Sequence, residues 1–258
     1  MTDVFEEVEE EIRSERLKRL ARNWLPILGG ILLVALIAAL SWWGWQSFQT
    51  SRAHAGSVAY QRGVEALQSG DTAGAETAFT EAGDKGNGAY KSMALQQRAG
   101  IAVAANRIPD AIQLFDDAAK ASGDPILHDT AVYKSALLMM DNGATLEDLE
   151  AKIEPLTKAG RPMVPFAQEA LGMARLQFNK PAEAREVFVL LTLGQDIPDS
   201  VRQRAQAAIG MIDSGVAAGL PAIVAAQSVN PPAAPAAPTQ EQLAQAAAQA
   251  QAAGAAQQ

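Results

Sequence analysis

The longest apolar stretch of the sequence lies near its amino terminus. No charged residue occurs between Arg22 and Arg52, and the residues between them are mostly leucine, isoleucine, valine and alanine. Trp24 stands at the start of this run, and the other three tryptophans cluster at its far end, finishing at Trp45. A helix needs about 20 apolar residues to cross a bilayer, with aromatic side chains at the headgroup level. The pattern therefore predicts a transmembrane helix over residues 23–48, in contact with the lipid bilayer.

Basic residues are more frequent before the apolar run than after it. Five lysine and arginine residues lie within residues 1–22, whereas only Arg52 and Arg62 follow the run closely. Because short loops rich in lysine and arginine stay in the cytoplasm, we expect residues 1–22 to form a charged, amphipathic cytoplasmic leader. Its sparse apolar positions fit either a solvated juxtamembrane helix or a helix that docks on a partner.

A cleaved signal peptide is the alternative to a permanent anchor. The tripeptide Ala53-His54-Ala55 offers the small residues that signal peptidase recognises. However, the apolar run is longer than the roughly 7–15 residues of a typical signal peptide, and it ends in tryptophans. The sequence therefore favours an uncleaved anchor.

Small and aromatic residues recur at a fixed spacing beyond the anchor. Gly63 and Phe79 have counterparts 109 residues later, at Gly172 and Phe188. This interval holds three periods of about 36 residues, close to the period of about 34 residues that is typical of tetratricopeptide helix pairs. We therefore predict four helix pairs, at about residues 56–86, 90–123, 127–160 and 163–196.

Turn-forming residues mark the predicted connections within the pairs. They are Gly70-Asp71, Asn106, Asn142-Gly143 and Asn179-Lys180-Pro181. The third pair is degenerate, because Leu149, Ile153 and Leu156 replace the alanine, phenylalanine and alanine of the other pairs. Residues 199–213 have the periodicity of a closing helix, which a solenoid needs to cover its last apolar surface. The predicted fold is all-α: one amino-terminal transmembrane helix, then a tetratricopeptide-like solenoid of about four repeats plus a capping helix over residues 49–213.

The composition changes abruptly after this region. Residues 214–258 are mostly alanine, proline and glutamine, and Glu241 is the only charged residue among them. Large apolar side chains are too few there to offset an ordering entropy of about 1–2 kcal/mol per residue. We expect residues 214–258 to be a disordered tail.

Residue types that carry catalysis are scarce. The chain has no cysteine and only two histidines, His54 and His128, neither of which has a second ligand at helical spacing. This excludes disulfides and thiolate chemistry and disfavours a metal site. The spacing motifs of serine hydrolases, nucleotide-binding loops and zinc peptidases are absent, and the net charge of −8 disfavours nucleic-acid binding. We expect a non-enzymatic protein with no cofactor, no metal and no small-molecule substrate.

A protein-binding groove is the functional site that remains. In such arrays the first helix of each pair lines a concave face, and helical geometry determines which side chains project into it. The candidates are Tyr60 and Val64 in the first pair, Met93, Gln96 and Gly100 in the second, Tyr133 and Leu137 in the third, and Phe166, Glu169 and Met173 in the fourth. This set suits apolar or extended chain segments. The same spacing also fits residues that pack within the repeats, and both interpretations stay open.

The order of these segments is similar to that of a known family. A leader that is acidic and then basic, a span ending in Trp42-Trp43-Gly44-Trp45, and Ala59-Tyr60 opening divergent repeats resemble the ancillary SecYEG translocon subunits, or YfgM-like proteins, of the alphaproteobacterial type. The resemblance covers about residues 1–213. The long alanine, proline and glutamine tail departs from shorter family members.

The resemblance implies a location and partners. It implies a single-pass protein of the bacterial inner membrane, with a cytoplasmic amino terminus and a periplasmic repeat domain. It also implies association with the SecYEG translocon and with a periplasmic membrane-anchored chaperone, and a role in the handover or folding of exported proteins. An envelope scaffold that coordinates cell division or cell-wall synthesis through the same groove is the alternative.

Overall fold

The described part of the chain is all-helical. The computed structural model describes the backbone of residues 3–219 and 221–222, and the side chains of those residues from 29 onward. No strand occurs in these ranges. The helices are α1 Asp3–Gln68, α2 Thr72–Lys85, α3 Gly88–Ala104, α4 Ile108–Ala121, α5 Pro125–Asp141, α6 Leu146–Ile153, α7 Val164–Gln177, α8 Pro181–Leu193 and α9 Asp199–Asp213, with short 3-10 turns at Glu154–Thr157 and Val216–Gly219. The predicted all-α fold of helical hairpins is confirmed.

Two sequence predictions fall on residues that the structure does not describe. Most of the predicted tail, residues 223–258, lies outside the described residues. The side chains of the leader also lie outside them, although its backbone from Asp3 onward belongs to α1.

The turns within the helix pairs contain the residues that the sequence indicated. Gly70, Asn106, Gly143 and Asn179 have φ angles of 81°, 56°, 79° and 56°. Glycine has no Cβ to oppose this left-handed conformation, and asparagine tolerates it better than most residues. Each of the four pairs therefore reverses direction at a residue suited to a tight turn.

Helices α2, α3 and α6 begin at side chains that cap free amide groups. The Asp71 carboxylate accepts a hydrogen bond from Gly74 N at 2.8 Å, at the start of α2. The Asn87 side chain accepts one from Tyr90 N at 3.1 Å, at the start of α3. Such caps satisfy donors that have no partner within the helix.

Helix α1 joins the apolar run to the first repeat without interruption. It continues through Trp45 and Arg52 to Gln68, so its last turns are also the first helix of the first pair. The segment Gly29–Gln68 contains a stretch long and apolar enough, by length and composition, to cross a membrane, and none of that stretch is buried in the protein. This helix is compatible with a single-pass membrane anchor.

The chain forms two compact units, Met1–Ala131 and Val132–Gln258, here called the amino-terminal and carboxyl-terminal units. In the amino-terminal unit, α1 packs on α2, and α3 packs on α2 and α4. One cluster of its core is small and alanine-rich and packs around the Phe79 ring, which is fully buried. The Phe79 ring lies against Gly63, where a Cβ would come within 2.6 Å of the ring. The small residue thus allows the two helices to approach closely.

The carboxyl-terminal unit contains most of α5 and all of α6 to α9. Leu149, Ile153 and Leu156 are fully buried in one of its clusters, so the degenerate third pair fills its core with aliphatic side chains. A second cluster, here called the α8–α9 cluster, contains Phe188 and Leu191 of α8 and Val201 of α9. Its Phe188 ring lies against Gly172, as Phe79 lies against Gly63. Helix α9 contributes Val201, Ala205 and Ala208 to this cluster and closes its apolar side, which confirms the predicted capping helix.

Candidate partner-binding groove

The carboxyl-terminal unit carries an open groove of about 550 Å³. Four helices line it: α5 with Tyr133, Leu137 and Met140; α7 with Glu169, Ala170 and Met173; α8 with Phe188; and α9 with Arg204, Ala207, Ala208 and Met211. Ala207 is small and exposed, and three methionines supply flexible, polarisable apolar surface. The structure thus brings together four of the residues that the sequence proposed: Tyr133, Leu137, Glu169 and Met173.

One ion pair lies in the groove. Arg204 donates two hydrogen bonds to the Glu169 carboxylate, and its Nη2 lies 2.7 Å from Glu169 Oε2. Glu169 is largely buried, whereas Arg204 is more exposed. The hydrogen bonds to Glu169 raise the pKa of Arg204. Because the two charges neutralise each other, the groove offers no uncompensated charge from this pair to an anionic or cationic ligand.

Tyr133 is held between this ion pair and an aromatic neighbour. Its ring meets the Phe166 ring edge-on, with centroids 6.3 Å apart. Burial raises the pKa of the Tyr133 phenol above its ordinary value of 10.0, the negative charge of Glu169 raises it further, and the positive charge of Arg204 opposes the rise. The phenol is therefore a neutral hydrogen-bonding group at physiological pH.

We expect the variant Glu169→Gln to lower the pKa of Tyr133. The substitution removes the charge that opposes phenolate and leaves the Arg204 charge that favours it, so Tyr133 would ionise at a lower pH than in the parent protein. The pKa is measured by ultraviolet absorbance, with Tyr133→Phe identifying the Tyr133 contribution. Glu147→Gln, an exposed acid on α6, is the control. An unchanged Tyr133 pKa in Glu169→Gln would show that the ion pair does not act on the phenol.

Phe166 lies beside the groove but does not line it. It packs against the α8–α9 cluster and touches Tyr133. The ring therefore supports the groove wall.

The candidates from the first two pairs belong to the amino-terminal unit. The Tyr60 ring lies 5.3 Å from that of Phe79, and the Tyr60 hydroxyl accepts a hydrogen bond from Gln97 Nε2 at 2.8 Å. Val64 packs on the same core. These contacts favour the packing interpretation of Tyr60 and Val64.

The two candidate side chains on α3 are half-buried. Gln96 Nε2 contacts the Leu127 carbonyl oxygen at 3.5 Å, and Met93 is the other member of the set. Gly100 is exposed, with open space where a Cβ would stand. A role in partner binding for these residues stays a prediction.

Sequence reasoning missed the contribution of α9. Arg204 and Met211 line the groove from α9, Val201 and Ala205 enter the core, and Ala208 belongs to both. The helix was expected only to close the solenoid. The spacing 204, 208 and 211 places these residues on one side of a helix, and this signal could have identified a second functional face.

The charged cleft of the amino-terminal unit is a different kind of surface. It holds about 560 Å³ and includes Glu76, Glu81, Lys85 and Arg98. Hydrogen bonds from Lys85 and Arg62 lower the pKa of Glu81. Among the residues that the structure describes, no group of three histidine, aspartate or glutamate side chains is placed to hold a metal ion.

Comparison with known proteins identifies the repeat family. The sequence pattern of the tetratricopeptide repeat-like domain matches residues 18–189, well over half of the chain. The match includes the apolar run of α1, the first three helix pairs, and the fourth pair as far as Val189 in α8. Searches of curated proteins and of solved structures gave no match. Tetratricopeptide-like folds typically act as non-enzymatic interaction scaffolds, so the chain is expected to bind protein partners. The chain therefore belongs to the family of proteins with a tetratricopeptide repeat-like domain.

Proposed function

We propose that this protein is a membrane-anchored module that binds apolar segments of exported polypeptides in the groove of its carboxyl-terminal unit. The observation that carries the proposal is the groove itself, with Met140, Met173 and Met211 along its walls. Methionine side chains adapt to differently shaped apolar ligands, which suits a site that must accept many sequences.

The electrostatics of the groove support an apolar ligand. Glu169 and Arg204 are bound to each other, and the Tyr133 phenol stays neutral. A strongly charged segment would have to break this pair or leave its own charge unpaired, and both are costly away from water. Neutral, apolar segments of unfolded chains meet neither cost.

The proposed setting is the Sec translocon in the bacterial inner membrane. The apolar stretch of α1 would anchor the protein as a single-pass span, with the charged leader in the cytoplasm and the repeats in the periplasm. The resemblance to ancillary SecYEG subunits supports association with the translocon and with a membrane-anchored chaperone. The module would then assist the handover or folding of newly exported proteins.

We expect Met173→Asp to weaken binding of an apolar peptide by about tenfold or more, which corresponds to about 1.4 kcal/mol. Met173 is 44% exposed, so the new carboxylate is solvated in the free protein and loses water only when a peptide covers it. Binding is measured by fluorescence anisotropy of a labelled apolar peptide on the full chain in lipid nanodiscs. The matched control is Leu190→Asp on α8, a 60% exposed position outside the groove lining. Equal binding by the two variants would show that the groove is not the peptide site.

Crosslinking in native membranes tests the proposed setting. Recovery of translocon subunits and of nascent exported chains would support it. Recovery of cell-wall synthases without any translocon subunit would instead favour the envelope scaffold. Comparing the parent protein with Met173→Asp in the same membranes would show whether crosslinking to exported chains depends on the groove.

A further inference from the structure

The membrane anchor and the amino-terminal unit share one helix, so the unit lies at a defined distance from the end of the apolar run. Trp45 and Gly56 are 11 residues apart in α1, about 16 Å at 1.5 Å per residue. At Gly56 the helix already touches the repeats, because a Cβ there would lie 2.7 Å from the Gly86 Cα. The first contacts of the repeats therefore occur within about 16 Å of the tryptophans.

Arg52 links the part of α1 that follows the apolar run to the end of α2. It donates hydrogen bonds to the carbonyl oxygens of Asp84 at 3.0 Å and Lys85 at 3.3 Å, at the end of α2. Its guanidinium lies 5.8 Å from the centroid of the Phe48 ring, one turn back toward the anchor. The last carbonyls of a helix lack partners within the helix, so this arginine satisfies α2 from the neighbouring helix. The contacts on both sides of Arg52 oppose bending between the anchor and α2.

The ends of three other helices lie on this same side of the amino-terminal unit. The start of α3 follows the end of α2 directly, and the end of α4 touches the start of α3, since a Cβ at Gly88 would lie 2.6 Å from the Ala121 carbonyl oxygen. The start of α5 follows α4 after a short turn. We call this side the proximal end and define it by Arg52, Lys85, Lys91, Lys120 and Ile126.

The exposed side chains of the proximal end suit a lipid surface. Lys85, Lys91 and Lys120 are exposed, and Lys85 and Lys120 also make ion pairs with acids one turn back in their own helices. Two acids lie here too: Asp84, which is exposed beside Lys85, and Asp124, whose carboxylate accepts hydrogen bonds from the backbone at the start of α5.

Ile126 adds an apolar contact to these charges. It is 60% exposed in the first turn of α5. An exposed isoleucine beside lysines is typical of a surface that touches headgroups, because long lysine stems can carry their charge to the phosphates.

We propose that the proximal end rests on the bilayer, with its lysines on the phosphates of anionic lipid headgroups and Ile126 in the interface. The inference rests on the anchoring role of α1 within the proposed function, and it adds a lipid contact made by the repeats themselves. The contact holds the amino-terminal unit upright on the membrane, with the turns at Gly70 and Asn106 on its far side.

The absence of cysteine from the chain permits a direct test. A single cysteine is introduced by Gly123→Cys at the proximal end or by Gly100→Cys on α3, both at positions with open space around them. Gly100 lies 12 residues beyond Gly88 along α3, about 18 Å farther from the proximal end. Each full-length variant carries a fluorophore and is reconstituted in vesicles of phosphatidylcholine with phosphatidylglycerol, which include a headgroup-linked quencher. Matched vesicles contain phosphatidylcholine and the quencher only.

We expect the label at position 123 to be quenched at least about threefold more than the label at position 100, because contact quenching falls off well within the separation of about 18 Å. The excess should shrink in phosphatidylcholine vesicles, and also when Lys85, Lys91 and Lys120 are all changed to glutamine. Lys180→Gln in the carboxyl-terminal unit is the control and should leave the quenching unchanged. Equal quenching at the two positions would overturn the proposal. So would extra quenching at position 123 that changes neither with lipid charge nor with the triple substitution.

Vesicle flotation separates this outcome from failure of the anchor. Protein that does not float with the vesicles would overturn both the anchoring role of α1 and the lipid contact. Protein that floats but shows equal quenching would overturn the lipid contact alone and leave the anchor intact.

Discussion

The variant Phe188→Ala is expected to lower the free energy of unfolding by about 3–5 kcal/mol. Phe188 is 1% exposed and is the largest side chain of the α8–α9 cluster, so its removal leaves a cavity as well as a loss of buried apolar area. Gly172 has no side chain that could move into the space. The cavity would also open toward the groove, because Phe188 is one of the groove-lining residues.

Chemical denaturation followed by circular dichroism measures the effect. The matched control is Leu193→Ala, on the same helix at a position that is 75% exposed, where we expect a change within about 0.5 kcal/mol. The two compact units need not unfold together, so the variant Phe79→Ala identifies the transition of the amino-terminal unit. A loss in Phe188→Ala no larger than that in Leu193→Ala would contradict the assigned core role.

The recurrence of Gly63 and Phe79 at Gly172 and Phe188 made the fold predictable. Each pair of residues meets in the structure, because the phenylalanine ring needs the space that a glycine leaves on the facing helix. Such contacts are local in a repeat and depend on spacing alone. The turns were predictable for a similar reason, since few residues adopt positive φ at low cost.

The candidate groove was harder to predict because helical spacing does not say which neighbour covers a face. Tyr60 and Tyr133 occupy similar places in their pairs, yet Tyr60 packs against Phe79 and Tyr90, whereas Tyr133 lines the groove. The difference depends on side chains supplied by other helices. Arg204 on α9 is an example, because its role follows from its contact with Glu169 on α7.

The sequence predicted separate segments in the amino-terminal region, whereas the backbone there is a single helix. The sequence predicted a leader, a span and a repeat domain with limits at residues 22 and 48. The backbone continues as one helix through both limits and through Pro26, so the changes in charge and hydropathy do not coincide with helix ends. Charge and hydropathy indicate the surroundings of a helix rather than where it begins or ends.

The variant Gly172→Ala is expected to lower the free energy of unfolding by about 1–3 kcal/mol, the usual cost of overpacking a core. Alanine normally stabilises a helix interior relative to glycine by about 0.5–1 kcal/mol. At position 172, however, the new Cβ would lie 2.7 Å from Phe188 Cζ, and the buried ring cannot move away without disturbing its neighbours. The clash therefore outweighs the gain in helix propensity.

Gly100→Ala is the matched control, because Gly100 also lies inside a helix but has open space around it. We expect this variant to be more stable than the parent by up to about 1 kcal/mol, so the two glycine variants should change stability in opposite directions. In the double variant Gly172→Ala/Phe188→Leu, the smaller leucine leaves space for the new Cβ. The double variant should therefore lose less free energy of unfolding than the sum of the losses in the two single variants. Stabilisation by Gly172→Ala alone, or strict additivity in the double variant, would show that the close approach of Gly172 and Phe188 does not limit the packing of α7 on α8.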